Sequence, residues 1–501
     1  MLKVVSTNSN QLNTRVEAKE NESAAPSKAV YDALLHEHDR GNRRIDDSTH
    51  AASRAYLCRQ LAAADKLTCD LPDDVRSLPS WSDWSTADTG RRYRQYLNTR
   101  KLGGPRQYFS SKSHALYFLK AVAPTKLVDG AWLYGLLQHW NDARFTSLIR
   151  IYLEELGEGL PDKNHVVLYQ KLLTSHGCEQ WKNLPDHHYV QGAIQLSLAH
   201  HAAEFLPEVI GFNLGYEQLP LHLLVTAYEL NELGIDPYYF TLHVTIDNAV
   251  TGHAQKSLQA VVDAMPQVAD GDAFYHRVIN GYKLNMLGAG TVSINESFDL
   301  EQELLSILAA KAVTGSQLHS DYCRVAGKTV NEWLSEPGQL PAFLVGLEKM
   351  GWIKRHQDPE NSRFWKLIHG ERAEMFGVFT AYEQQLIHDW IAGEPAESGG
   401  KSRQLSLRNK QRLLEVGNGE RQFAGNRGLD TRGVIRTHSP GNRIDDAQTD
   451  FNAELRLLEQ RLAALTTKEE VMAMLTGLMS PAKHHTASGL MATRIFTRLY
   501  G

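Results

Sequence analysis

His243-Val-Thr-Ile-Asp247-Asn-Ala-Val-Thr-Gly252-His253 places two imidazoles and a carboxylate within eleven residues. The stretch lies inside a helical apolar pattern that runs on to about Met265. Residues four apart share one face of a helix, so His243 and Asp247 reach a common point beside it. Helical bundles present first-row metal ligands to their interior in this way. His253 does not follow so simply, since at ~100° per residue it sits about 120° from Asp247 on an ideal helix. Joining the same centre requires a distortion near Thr251 and Gly252, where glycine tolerates unusual backbone.

Outward from this stretch, residues 91–308 form a succession of apolar-periodic segments broken by short Gly, Pro or Asn signals. Strand signals are few. The reading is an all-α bundle of six or more helices. A chain of 501 residues exceeds the usual size of one core, so appendages are expected around it. Residues 1–27 are polar and read as a disordered N-terminus. Residues 28–90 read as an N-terminal helical extension, ending in an aperiodic connector, LPDDVRSLPSWSDWST. Residues 309–393 read as a cap or winged-helix-like subdomain, a helix followed by two short strand-like runs around Asp358-Pro-Glu-Asn361. Residues 394–450 read as a flexible basic linker, with ten Lys/Arg against three Asp/Glu between Lys401 and Arg443. Residues 451–501 read as a small helical module, with Thr467-Lys-Glu-Glu470 as a capping-box start. That module either docks on the bundle or binds another chain.

Bulk composition excludes several classes. A net charge of −5 and the lack of a basic recognition face give no ground for a nucleic-acid partner. No run approaches 18 apolar residues and the N-terminus has no signal-peptide core, so a cytoplasmic protein without a membrane span is expected. Four cysteines without a CxxC pair indicate neither a disulfide framework nor a zinc knuckle.

Two acidic clusters lie upstream of His243. In Glu154-Glu155-Leu-Gly157-Glu158-Gly159-Leu-Pro161-Asp-Lys-Asn-His165, glycines and Pro161 end one helix and start another, with His165 in a first turn. Two carboxylates at a helix C-terminus are disfavoured by its dipole unless a cation is near. One of Glu154 and Glu155 is expected to be simply solvated. The second cluster runs from Glu204 through Glu208 to Glu217, and Glu217 follows a strongly apolar run where an unpaired carboxylate is costly. Glu155, His165, Glu217, His243, Asp247 and His253 thus give three carboxylates and three imidazoles, the donor mix of a non-haem iron site in a bundle. No glutamate has a histidine three residues on, and no His-Glu-x-x-His is present, which removes the ferritin-like di-iron and zincin patterns.

The combination EELGEGLPDKNHVVLY, EFLPEVIGFNLGYE and FTLHVTIDNAVTGHAQ resembles the haem-oxygenase-like di-iron oxidases, the iron-containing redox enzymes. The similarity spans roughly residues 115–265, with MFGVFTAYEQQL further on. It implies a seven-helix haem-oxygenase-like bundle without haem. It also implies two irons, cycling between Fe(II) and Fe(III), that use O2 to oxidise a small-molecule substrate. Outcomes in the family include N-oxygenation, C–C cleavage and desaturation. By motif match, Glu155 and His165 correspond to ligands of the first part, Glu217 to the carboxylate of the next helix, and His243, Asp247 and His253 to the last. The family often adds a carboxylate from the helix before the Glu–His segment, for which Asp129 in LVDGAWL is the candidate; Glu208 is a further one. Phe212, Tyr216, Tyr239 and Phe240 are candidate substrate-pocket residues. The alternatives are a mononuclear or metal-free helical oxidase, or a non-enzymatic scaffold with a partner-binding tail. A homodimer is open.

Overall fold

Polar caps set the starts of the helices, and the caps are side chains that satisfy first-turn N–H groups. The computed structural model describes residues 25–39, 46–246, 252–319, 322–393 and 453–501. Helices α1 (Ser27–Asp39) and α2 (Asp47–Asp65) precede the long α3 (Leu78–Lys101). Next come α4 (Lys112–Ala121), α5 (Ala123–Lys126), α6 (Thr146–Glu155), α7 (His165–His176), α8 (Val190–His200) and α9 (Leu206–Tyr216). Then follow α10 (Leu221–Glu232), α11 (Tyr238–Ile246), α12 (His253–Ala264) and α13 (Gly271–Lys283). Asp46, Ser111, Asn164 and Asp270 cap α2, α4, α7 and α13 with their side chains.

Two differences from the sequence reading concern boundaries. The connector before residue 90 is helical over most of its length, because Pro79 sits in the first turn of α3, where it costs no hydrogen bond. The stretch around His243 is not one helix running to Met265. Helix α11 ends at Ile246, Gly252 is extended (φ −86°, ψ −163°), and α12 begins at His253. That break is the distortion that His253 requires.

The crossing of α9 and α13 depends on two glycines. A Cβ at Gly211 would lie 1.8 Å from the Val278 carbonyl oxygen, and one at Gly281 would lie 2.2 Å from that of Glu208. The backbones are therefore nearly in contact, closer than any side chain allows.

Beyond the bundle come α14 (Thr291–Glu296) and α15 (Leu300–Gly315). A two-stranded hairpin follows, β1 (Arg324–Val325) against β2 (Lys328–Thr329), turning through Ala326 (φ 49°) and Gly327 (φ 87°). Both turn residues have positive φ, as two-residue hairpins need. Helices α16 (Val330–Leu334), α17 (Leu340–Lys349), α18 (Arg363–Ile368) and α19 (Ala381–Ala392) complete this part. The strand-like runs expected around Asp358-Pro-Glu-Asn361 are not strands: that segment is a 3-10 turn leading into α18. Pro359 removes a ladder donor there, and the Asp358 carboxylate caps the turn at Glu360 N–H.

The C-terminal helices α20 (Ala453–Ala463), α21 (Lys468–Leu478) and α22 (Ala487–Tyr500) pack onto the bundle. The Thr467/Glu470 capping box starts α21 as its sequence indicates. Expectations for residues 1–24 and 394–450, and for Asp247, lie outside the described residues.

Apolar side chains gather in two clusters. One joins α1, α2, α6, α8, α9, α12 and α13 with the C-terminal helices. The other joins α4, α7, α10, α11 and α15 with residues 322–391. The fold is an all-α, haem-oxygenase-like bundle, and its polar interior lies at the seam between these clusters.

Candidate metal centre

Three consecutive residues with positive φ, Gly157 (61°), Glu158 (52°) and Gly159 (81°), turn the chain between α6 and α7. This tight left-handed turn aims the last residue of α6, Glu155, at the first residue of α7, His165. The pair meets Asp129, from the turn before the Ala131–His139 3-10 helix, and His243 of α11. One donor atom from each of these four lies within 4.8 Å of the others. Glu155, Glu217 and His253 form a second such group, so Glu155 belongs to both. None of the six side-chain-bearing residues is more than 5% exposed.

The geometry fixes which atoms face inward. His243 Nδ1 lies 2.9 Å from the Tyr239 carbonyl oxygen, to which it donates, and its Nε2 lies 3.1 Å from Asp129 Oδ2. His253 Nδ1 is 2.9 Å from Glu217 Oε2 and 3.3 Å from Glu155 Oε1, while its Nε2 is 2.8 Å from Glu154 Oε2. His165 Nδ1 and Glu155 Oε2 approach to 2.5 Å, yet both are buried and neither has a hydrogen-bond partner. A carboxylate oxygen and an imidazole nitrogen this close, with no aligned hydrogen bond between them, mark a place where a shared cation fits. The donor set is also chemically suited to iron, hard carboxylate oxygens with imidazole nitrogens and no thiolate.

Around these residues lies a second layer of contacts. Tyr216 OH donates to Asp129 Oδ1 at 2.7 Å and Tyr239 OH to Oδ2 at 2.6 Å. Lys126 Nζ donates to the Tyr216 hydroxyl at 2.9 Å and lies 3.9 Å from Asp129 Oδ1. Glu154 holds His253 on one side and the Lys256 ammonium on the other. Burial works against charge on Asp129, but Lys126, His165 and His243 hold its carboxyl well below the usual range. Burial likewise opposes ionised Glu155, and the His165 charge overrides it to about 2. His165, disfavoured as a cation by burial, is raised to about 10 by Glu155 and Asp129. The cluster thus keeps its carboxylates ionised and gathers positive charge.

Several expected residues do not join the cluster. Glu208 forms a two-point ion pair with Arg277 of α13, at 2.7 Å on each oxygen. Phe212 packs against Trp132 in one apolar cluster, and Phe240 against Phe118 in the other. Tyr216 and Tyr239 meet Asp129 through their hydroxyls. Of the two adjacent glutamates, Glu155 is buried and Glu154 half-buried and paired. Sequence reasoning missed Glu154, Lys126 and Lys256 as contacts of the centre. Spacing carried some of the signal: Tyr239 is four residues before His243, and Lys256 three after His253.

Residues 116–285 match the family model of the iron-containing redox enzymes. Over that range the chain is similar to this family. No curated protein and no solved structure gives a significant match. The family's description supports an oxidoreductase, and the buried carboxylate–histidine groups could hold iron. The matched range holds every member of both groups. No helix among the described residues is long and apolar enough to cross a membrane.

Proposed function

We propose that the protein is a non-haem di-iron oxidase that uses O2 to oxidise a small organic molecule, by N-oxygenation, C–C cleavage or desaturation. The observation that carries this reading is Glu155. Its Oε2 faces His165 and its Oε1 faces His253, so one carboxylate serves two adjacent sets of donors. Asp129, Glu155, His165 and His243 would hold one iron, and Glu155, Glu217 and His253 the second, with Asp247 as a further candidate. Bound iron supplies the electrons that activate O2.

The chain supplies the rest. Tyr216 and Tyr239 fix both Asp129 oxygens, and the Tyr239 carbonyl fixes the His243 tautomer. Glu154 accepts from His253 Nε2, which leaves Nδ1 to face the centre. Burial keeps bulk water from the reacting groups.

The test is anaerobic loading with Fe(II), metal counting and O2 uptake in stopped flow. Two irons per chain and O2 consumption are expected, with both lost or halved in Glu155→Ala. One iron per chain, with Glu217→Ala without effect, favours a mononuclear oxidase. No iron, or no uptake above the Glu155→Ala control, ends the proposal.

A further inference from the structure

The C-terminal helices touch the same turn that aims Glu155 at His165. Arg494 Nε of α22 donates to the Gly159 carbonyl at 3.0 Å. A Cβ at Gly159 would lie 2.3 Å from the Leu490 carbonyl oxygen, so α22 rests directly on the turn's backbone. Tyr152 of α6 donates its hydroxyl to the Met479 carbonyl at 2.6 Å, within the apolar cluster that holds Met472, Leu475, Met479, Ala492 and Phe496. These contacts alone describe a docked module.

One further contact reaches the centre. Asn164 is fully buried and caps α7, its Oδ1 accepting from Val167 N–H at 3.0 Å. Its Nδ2 donates to the Leu156 carbonyl at 3.2 Å and lies 3.1 Å from Nδ1 of His484. His484 sits in the connector between α21 and α22 and is 2% exposed. Because the Asn164 amide oxygen is already engaged, its N–H is the donor and His484 Nδ1 the acceptor. Burial, with His485 and His165 nearby, keeps that ring neutral, which the acceptor role requires. The Asn164 side chain therefore ties three things together: the end of the Glu155 helix, the start of the His165 helix, and the C-terminal module.

We infer that His484 is a positioning residue of the metal centre, acting through Asn164 on His165, and that residues 453–501 complete the site rather than recruit a partner. This rests on the reading of the buried cluster as a metal centre. Losing the acceptor leaves one of the two buried Asn164 amide N–H groups without its partner, and the first turn of α7 loses its outer support. Outer partners of metal-ligating residues change metal affinity by about 10- to 100-fold.

The experiment is a Co(II) titration of the full-length apo-protein, followed by d–d absorption, with helix content checked by circular dichroism. His243→Ala and His253→Ala identify which binding phase belongs to which donor group. His484→Ala is expected to weaken the phase that His243→Ala deletes by about 10- to 100-fold, leaving the phase of His253 within about threefold. Asn164→Ser keeps a cap but cannot reach His484, and is expected to show the same loss. His484→Asn offers an amide oxygen near the Nδ1 position and is expected to restore most of the affinity. Unchanged affinity in His484→Ala overturns the inference while leaving the metal centre intact. Equal weakening of both phases, without rescue by His484→Asn, also overturns it, since that marks general loosening. No Co(II) binding by the wild-type chain overturns the metal centre itself.

Discussion

Glu155 and Glu229 are both buried carboxylates, and the contrast between them shows what marks a ligand. Glu229 accepts from the N–H groups of Gln107, Tyr108 and Phe109 and from Tyr96 OH, so every lone pair has a protein donor. Glu155 has an oxygen without a hydrogen bond, beside an imidazole nitrogen in the same condition. Glu229→Gln is expected to cost roughly 2 kcal/mol of stability by urea unfolding, since bonds to a charged acceptor are the stronger kind. Its metal content should not change. Among titrating residues, burial depresses His114, His188 and His201 to about 4 each. Their folded values lie below the unfolded value, so the unfolded chain binds more protons as pH falls. The apo-protein should therefore lose stability as pH drops from about 6.5 through 4, read as a falling melting temperature. His114→Phe should flatten that slope; a slope unchanged by the substitution would remove His114 from the account.

At the scale of elements, the decisive features are places where backbone meets backbone or leaves the ordinary helix. Gly211→Ala gains at most about 1 kcal/mol of helix propensity. It sets a methyl 1.8 Å from the Val278 carbonyl oxygen, and such overlap costs roughly 3 kcal/mol or more. A clear drop in the urea midpoint is expected, and a midpoint at or above wild type would contradict the close crossing of α9 and α13. Glu158 holds φ 52° between two glycines, a conformation that costs a side-chain-bearing residue about 1 kcal/mol or more. Glu158→Gly should therefore stabilise the chain by about that much in the same assay.

For the whole molecule, the two apolar clusters meet at the polar seam, and the C-terminal helices belong to one of them. Deleting residues 453–501 uncovers the bundle face beside Tyr152 and removes five fully buried side chains from the shared core. The expected loss is several kcal/mol, a melting temperature lower by on the order of 10 °C. A truncated chain that melts like the full one would show the module to be independent.

Helical period, short turn signals and an apolar interior dictated an all-α bundle, because these are local properties that a sequence carries directly. Glu155, His165, Glu217, His243 and His253, which the fold brings together, stood out for the same reason: carboxylates and imidazoles at helix ends and inside apolar runs are costly unless something compensates them. What the sequence left open depends on long-range contact. Asp129 was offered only through the family resemblance until folding placed it 3.1 Å from His243, and Glu208 could not be set aside until Arg277 was seen to pair with it. Glu154 and Glu155 are neighbours in the chain, and only the direction of α6 against α12 separates an outer partner from a shared ligand. Helix geometry made a break before His253 the condition for its joining the centre, and only the folded chain supplies that break, as the start of a new helix. Placing His484 beside Asn164, 320 residues away, is decided wholly by the folded chain, because no local preference acts over that distance.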